Sequence, residues 1–200
     1  GIIGKDSSSV ETRKNTDVQN LRIEGALYAN LSENESGYLK AYFYNSERGL
    51  PGGTILYNEG AFTSQRMWDR TFFTQAHYEK TFTPLWSLQM NAKYNHGMLH
   101  YLDTTYLNEA GKMESVYRQN EYYASFSVLY KALEHLSFSF SSDAFLNTMM
   151  ADFETDVLDN EFATPSRYSL LSVLAAKYVS NSFMSTASIL STVVNEQVKV

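Results

Sequence analysis

Apolar and polar residues alternate along much of the chain. Trp86, Leu88, Met90, Ala92 and Tyr94 are separated by Ser87, Gln89, Asn91, Lys93 and Asn95. Leu21, Ile23, Gly25, Leu27, Ala29 and Leu31 alternate with Arg22, Glu24, Ala26, Tyr28, Asn30 and Ser32. Leu136, Phe138 and Phe140 alternate with Ser137, Ser139 and Ser141, and Tyr122, Ala124, Phe126, Val128 and Tyr130 share one side of another run. A helix would space its apolar residues by three and four, whereas a spacing of two places them on one face of a β-strand.

Short turn-like breaks fall at Glu33-Asn34-Glu35-Ser36-Gly37, Thr81-Phe82-Thr83-Pro84, Leu133-Glu134-His135 and Ser180-Asn181-Ser182. They recur roughly every 49 residues, a period at which internal repeats are expected. Between them lie long polar stretches, about Asn45 to Arg66, Tyr101 to Gln119 and Asn147 to Arg167. The pattern predicts eight antiparallel strands in four hairpins, with short turns on one side and long loops on the other.

The alternation persists for about 10 to 14 residues per strand, longer than the 5 to 6 usual in soluble sheets. A strand that crosses a bilayer needs about 9 to 11 tilted residues. Aromatic residues sit near both ends of the apolar series: Trp86 with Tyr94, Tyr122 with Tyr130, Tyr168 with Tyr178. At ~3.3 Å per residue and a tilt of about 40°, such pairs are roughly 20 to 25 Å apart, the height of a lipid-facing band between two aromatic girdles. The expected fold is therefore all-β, an up-and-down transmembrane barrel segment, with Leu88 near mid-membrane. Leu170, Leu171, Val173, Leu174, Ile189 and Leu190 fit less well, because they put apolar residues on both faces of the last two strands.

Composition agrees with that solvent. Fifteen Tyr, 12 Phe and 2 Trp make 14% aromatic, yet mean hydropathy is only −0.33. Sixteen Lys+Arg against 22 Asp+Glu leave a net charge of −6 and no basic stripe for nucleic acid. Without cysteine there is no disulfide framework, thiolate zinc site or thiol nucleophile. No apolar run reaches 18 residues, so neither a transmembrane helix nor a signal peptide is expected. Both ends read as cut: residues 1–18 as loop or linker, the strands within 19–200, one partial barrel domain. Two soluble architectures compete. A lipocalin-like barrel alternates with its greasy face inward, and a propeller would show four strands per repeat.

Tyr44-Asn45-Ser46-Glu47-Arg48-Gly49-Leu50-Pro51-Gly52-Gly53 follows a strand. Ser64-Gln65-Arg66-Met67-Trp68-Asp69, Phe72-Phe73 and Trp86-Ser87-Leu88 come after it. This string resembles the barrel of TonB-dependent outer-membrane receptors, especially those of Bacteroidetes, most densely over residues 38–99. The resemblance implies a twenty-two-stranded barrel in the bacterial outer membrane. It also implies an N-terminal plug and an inner-membrane energy-coupling partner that drives uptake of iron-siderophore, cobalamin or oligosaccharide. Plug, coupling box and aromatic C-terminal residue are absent from these residues, so the chain reads as an internal piece of the barrel wall. Its partners would be membrane lipid, the rest of the barrel and the plug. The alternative is a small self-contained barrel, membrane-embedded or soluble, with a structural or ligand-binding role.

Candidate site residues are few. Arg48, Gly49, Leu50, Pro51 and Gly52 would shape a substrate loop, with Pro51 fixing φ and the glycines permitting a tight turn; alternatively they only fold the loop over the rim. Asp152, Glu154 and Asp156, with Asp159 and Glu161, offer carboxylates for Ca²⁺ but miss the EF-hand pattern at Val157, and a solvated acidic loop explains them as well. His96 and His100 are four apart, roughly 13 Å on a strand, too far for one zinc. His77 and His135 stand alone. No nucleophile is paired with a base and no phosphate-cradling loop occurs, so neither an enzyme nor a cofactor is expected.

Overall fold

The structure, a computed structural model, describes residues 15–51, 64–106, 109, 111–154 and 164–199. It is all-β. The strands are β1 (Val18–Ser32), β2 (Glu35–Gly49), β3 (Arg66–Thr83), β4 (Trp86–Asp103), β5 (Met113–Leu133), β6 (Leu136–Glu154), β7 (Thr164–Val179) and β8 (Met184–Lys199). They form one antiparallel up-and-down sheet in the order β1-β2-β3-β4-β5-β6-β7-β8. Each strand touches only its neighbours in sequence, so β1 and β8 are free edges and the sheet is open.

The four hairpin turns fall where the sequence breaks. In three of them the register shifts by one residue just before a two-residue turn, between Asn30 and Ser32, Thr81 and Thr83, and Lys131 and Leu133. This is the bulged hairpin that a short connection favours on a twisted ribbon. Hydroxyls close the turns: Ser32 Oγ accepts from the Asn34 amide, Thr83 Oγ1 from the Leu85 amide, and Ser180 Oγ from the Ser182 and Phe183 amides.

The strands are longer than the alternation predicts, from 15 residues in β1 to 21 in β5. Most of the excess lies on the loop side. Tyr101 and Gln119, expected in a loop, sit in β4 and β5, and Asn147 and Arg167 pair with each other across β6 and β7. What remains between strands is 50–65, 104–112 and 155–163.

Register also sorts the two-sided strands. Leu170, Leu174 and Ile189 line up with Ala144, Phe140 and Leu174, on the face that carries Trp86. Leu171, Val173 and Leu190 lie on the other face. No hydrophobic side chain among the described residues is buried. Among the described residues the sheet has no core of its own, and its apolar surface is left open.

Candidate functional site

The two faces of the sheet are the functional geometry. On the first face, Trp86 stacks on Tyr130 with ring centroids 4.2 Å apart, near the turns. Eight residues further along β4, Tyr94 packs on Tyr122 at 4.9 Å and on Phe72 at 6.2 Å. Between these aromatic rows lie Leu88, Met90 and Ala92, paired with Val128, Phe126 and Ala124. Trp86, Met90 and Phe126 are 44, 45 and 39% exposed, so they do not form the centre of a globule. Beyond the second row the same face turns polar, through Asn45, Arg70, His96, Asn120, Thr148 and Ser166.

Both edges of this apolar band cross the hydrogen-bonded register obliquely, and in the same direction. On the loop side the band ends at Phe72 on β3, which pairs with His96 rather than Tyr94, and at Val193 on β8, because Tyr168 of β7 faces Asn195. On the turn side it ends at Tyr78 on β3, where Lys80 is already level with Leu88. It continues to Trp86 on β4 and to Leu136 and Tyr178 on β6 and β7. The drift averages about one residue per strand. Strands ~4.8 Å apart and tilted about 40° to a flat layer require the same. On β4 the band runs from Trp86 to Tyr94, so its middle is Met90, one step toward the loops from Leu88.

The second face is polar and hydrogen-bonded sideways. His77 Nδ1 lies 2.7 Å from Asn91 Oδ1, Asn91 Nδ2 donates to Ser125 Oγ at 3.1 Å, and Tyr123 OH donates to Asp143 Oδ1 at 2.7 Å. Gln75 Nε2 donates to Tyr38 OH at 2.7 Å, and Tyr38 stacks on His77. Near the turns a hollow of about 870 Å³ is lined by Ser36, Glu79, Ser87, Gln89, Ser127 and Ser139 among others. Serine and amide side chains were legible as a water-facing series. Tyr28 was legible among them; Tyr38, Tyr42, Tyr44 and Tyr123 were not, because an aromatic on the polar side looks like noise within one strand.

The loop-side rim is tied by a compact polar knot. Asp103, 6% exposed, accepts from Gln65 Nε2 at 3.0 Å, from the Thr105 amide at 2.9 Å, and from the hydroxyls of Ser64 and Thr105. Burial pushes this carboxyl up, and the donated hydrogen bonds outweigh it and hold the carboxyl below its ordinary value. Arg66 pairs with Asp17 at 2.8 Å and Glu47 at 2.7 Å. Hydrogen bonding to that guanidinium lowers the Asp17 carboxyl. Asn15, at φ 58°, donates from Nδ2 to the carbonyls of Leu50 and Gln65. The Ser64-Gln65-Arg66 string thus anchors the rim.

The sequence-stated candidates fall apart spatially. Arg48 and Gly49 belong to β2, opposite Met67 and Arg66, and the connection starts only at Leu50. A Cβ on Gly49 would meet the Asn15 side chain and, at 2.5 Å, its backbone oxygen, so close approach explains that glycine. The Leu50 amide donates to Gln65 O, Pro51 follows, and Gly52 lies outside the described residues. Asp152 stands on β6 and is held by Arg118 at 2.6 Å; Glu154 ends that strand, and Asp156, Asp159 and Glu161 lie outside the described residues. No group of three or more metal-ligating side chains occurs among the described residues. His96 and His100 bind different partners, Asn120 and Glu114.

Compared with models of known protein families, the sequence matches none. A comparison with curated proteins finds no significant relative.

Proposed function

We propose that this chain is a membrane-spanning wall segment of a larger outer-membrane barrel, of the TonB-dependent receptor type, that takes up a scarce nutrient with energy supplied through a plug. The observation that carries this reading is the oblique apolar band, bounded by aromatic rows and left uncovered by the protein itself. Hydrocarbon is the solvent such a band fits, since the backbone groups of its inner strands, β2 to β7, are hydrogen-bonded between strands. The opposite face, with its amides, hydroxyls and tyrosines, would then line the lumen. Two free strand edges favour a segment over a self-contained eight-stranded barrel, because an open edge in lipid leaves amides and carbonyls without partners. The Arg48–Gly53 and Ser64–Asp69 strings support the receptor type. No catalytic role is proposed.

Fractionation of cells that make the parent protein tests this. An antibody to this chain should mark the outer membrane, on a band whose gel mobility changes on heating. Nutrient uptake by that parent should stop when the inner-membrane proton gradient is collapsed. Recovery in the soluble fraction would overturn the membrane reading, and uptake indifferent to the gradient would overturn the receptor type.

A further inference from the structure

The first face carries two features that the barrel-wall reading leaves unused. Just beyond the loop-side aromatic row, Arg70 of β3 and Arg118 of β5 flank Met98 of β4 and project from the same face. Arg118 is bound to Asp152 at 2.6 Å and its side chain is still 42% exposed. Arg70 donates to the amide oxygen of Asn45, at 3.3 Å, and among the described residues has no carboxylate partner. One step below Arg118 on β5, Asn120 Oδ1 accepts from both Tyr94 OH, at 3.0 Å, and His96 Nδ1, at 2.8 Å. With its oxygen so engaged, the Asn120 amide nitrogen is left as a donor on the same face, two residues from Arg118 along β5.

Below the aromatic row, four alanines on neighbouring strands are directly paired: Ala76 with Ala92, Ala92 with Ala124, Ala124 with Ala144. Flanked by larger side chains, they floor two adjoining apolar hollows of about 430 and 410 Å³. Thr74, in the row of Tyr94 and Tyr122, lines the upper hollow and leaves the row low on its β3 side.

We infer that this face holds one lipid with an anionic phosphate headgroup, the phosphate between Arg70 and Arg118 and an acyl chain in the alanine trough beneath. Guanidinium suits phosphate because its donors are fixed in a fork and it stays charged at every relevant pH. The trough accounts for the chain, and the charge excess at Arg70 accounts for the headgroup. A neutral lipid would satisfy only the first. This inference rests on the proposed membrane reading.

Lipid selectivity tests it. The chain is reconstituted in phosphatidylcholine bilayers, and the motionally restricted fraction of spin-labelled phosphatidylglycerol is compared with that of spin-labelled phosphatidylcholine. The native chain should prefer phosphatidylglycerol by about fivefold per arginine near the surface. R70Q/R118Q should abolish the preference. R70K/R118K should retain much of it, and R22Q/R167Q, with the same charge loss on the other face, should retain all of it. An unchanged preference in R70Q/R118Q, or none in the native chain, overturns the inference. So does loss of the preference on adding inorganic phosphate at matched ionic strength, which would make the ligand a free anion. If neither lipid is restricted, the membrane reading itself fails.

Discussion

The turn-side and loop-side halves of the sheet share strands, register and hydrogen-bond ladders, yet the first face changes character between them. In the turn-side half it is Trp86, Leu88, Met90 and Ala92; in the loop-side half the same β4 positions continue as His96, Met98 and His100. Trp68 stacks on His100 at 4.7 Å in the loop-side half, beside Arg66 and Glu47, while Trp86 stacks on Tyr130 with Leu88 and Val128 paired in the next row. Backbone pairing is indifferent to solvent and side chains are not. The strands therefore continue past the point where the apolar series stops. The turn-side half depends on what surrounds it, and the loop-side half is held by its own polar knot.

The largest effect that would break this comparison is a charge at the middle of the band. Met90→Arg should cost about 2 to 4 kcal/mol in a refolding titration into lipid, whereas Met98→Arg, four positions beyond Tyr94 on the same face, should cost about 0 to 1. Equal costs would erase the boundary between the halves.

Next in size is the rim. Asp103→Asn removes the charge that Gln65 and the Thr105 amide serve, and should cost about 1 to 3 kcal/mol. Faster hydrogen exchange should be confined to Thr105 and the neighbouring strand ends, with no change at Ala92 or Ala124. Gly49→Ala, which pushes Asn15 away, should release the Leu50 and Gln65 carbonyls at a cost of about 1 kcal/mol or more.

Acid should mimic the first of these changes. The Asp103 carboxyl is lowered in the folded chain, so its stabilisation is complete above the unfolded pKa of about 3.9 and is lost as pH falls through the lower folded value. After correction for intrinsic exchange, protection of the Thr105 amide should hold from neutral pH down through the ordinary carboxylate value of about 3.9 and fail only as pH falls through the lower folded value. The smallest effect belongs to the second face: Gln89→Arg should change refolding by less than about 0.5 kcal/mol, because that side chain meets water in either form.

Most of the fold was legible in the sequence, and the reason it was not all legible is physical. Period-two alternation is visible only where the two faces meet different solvents. From Trp86 to Tyr94 the faces differ. From Asn95 to Asp103 polar residues occur on both faces, the alternation vanishes, and the strand's end from Tyr101 reads as a loop. The stagger of the band across the sheet is a relation between strands. The Asp103 knot joins residues 38 apart in the chain, Gln65 and Asp103, with no periodic trace. The Arg48–Gly52 candidates were noticed for their glycines and proline, and at Gly49 the structure answers with close packing against Asn15.

The two native tryptophans test the central claim, that the first face of the turn-side half lies in hydrocarbon and that of the loop-side half does not. In the chain reconstituted in bilayers, a Trp68→Phe variant leaves Trp86 as reporter, and a Trp86→Phe variant leaves Trp68. Lipids brominated near the carbonyl end of the acyl chain should quench Trp86 and spare Trp68, while aqueous iodide should do the reverse. Iodide quenching of both, with no response of Trp86 to brominated lipid, would contradict the account.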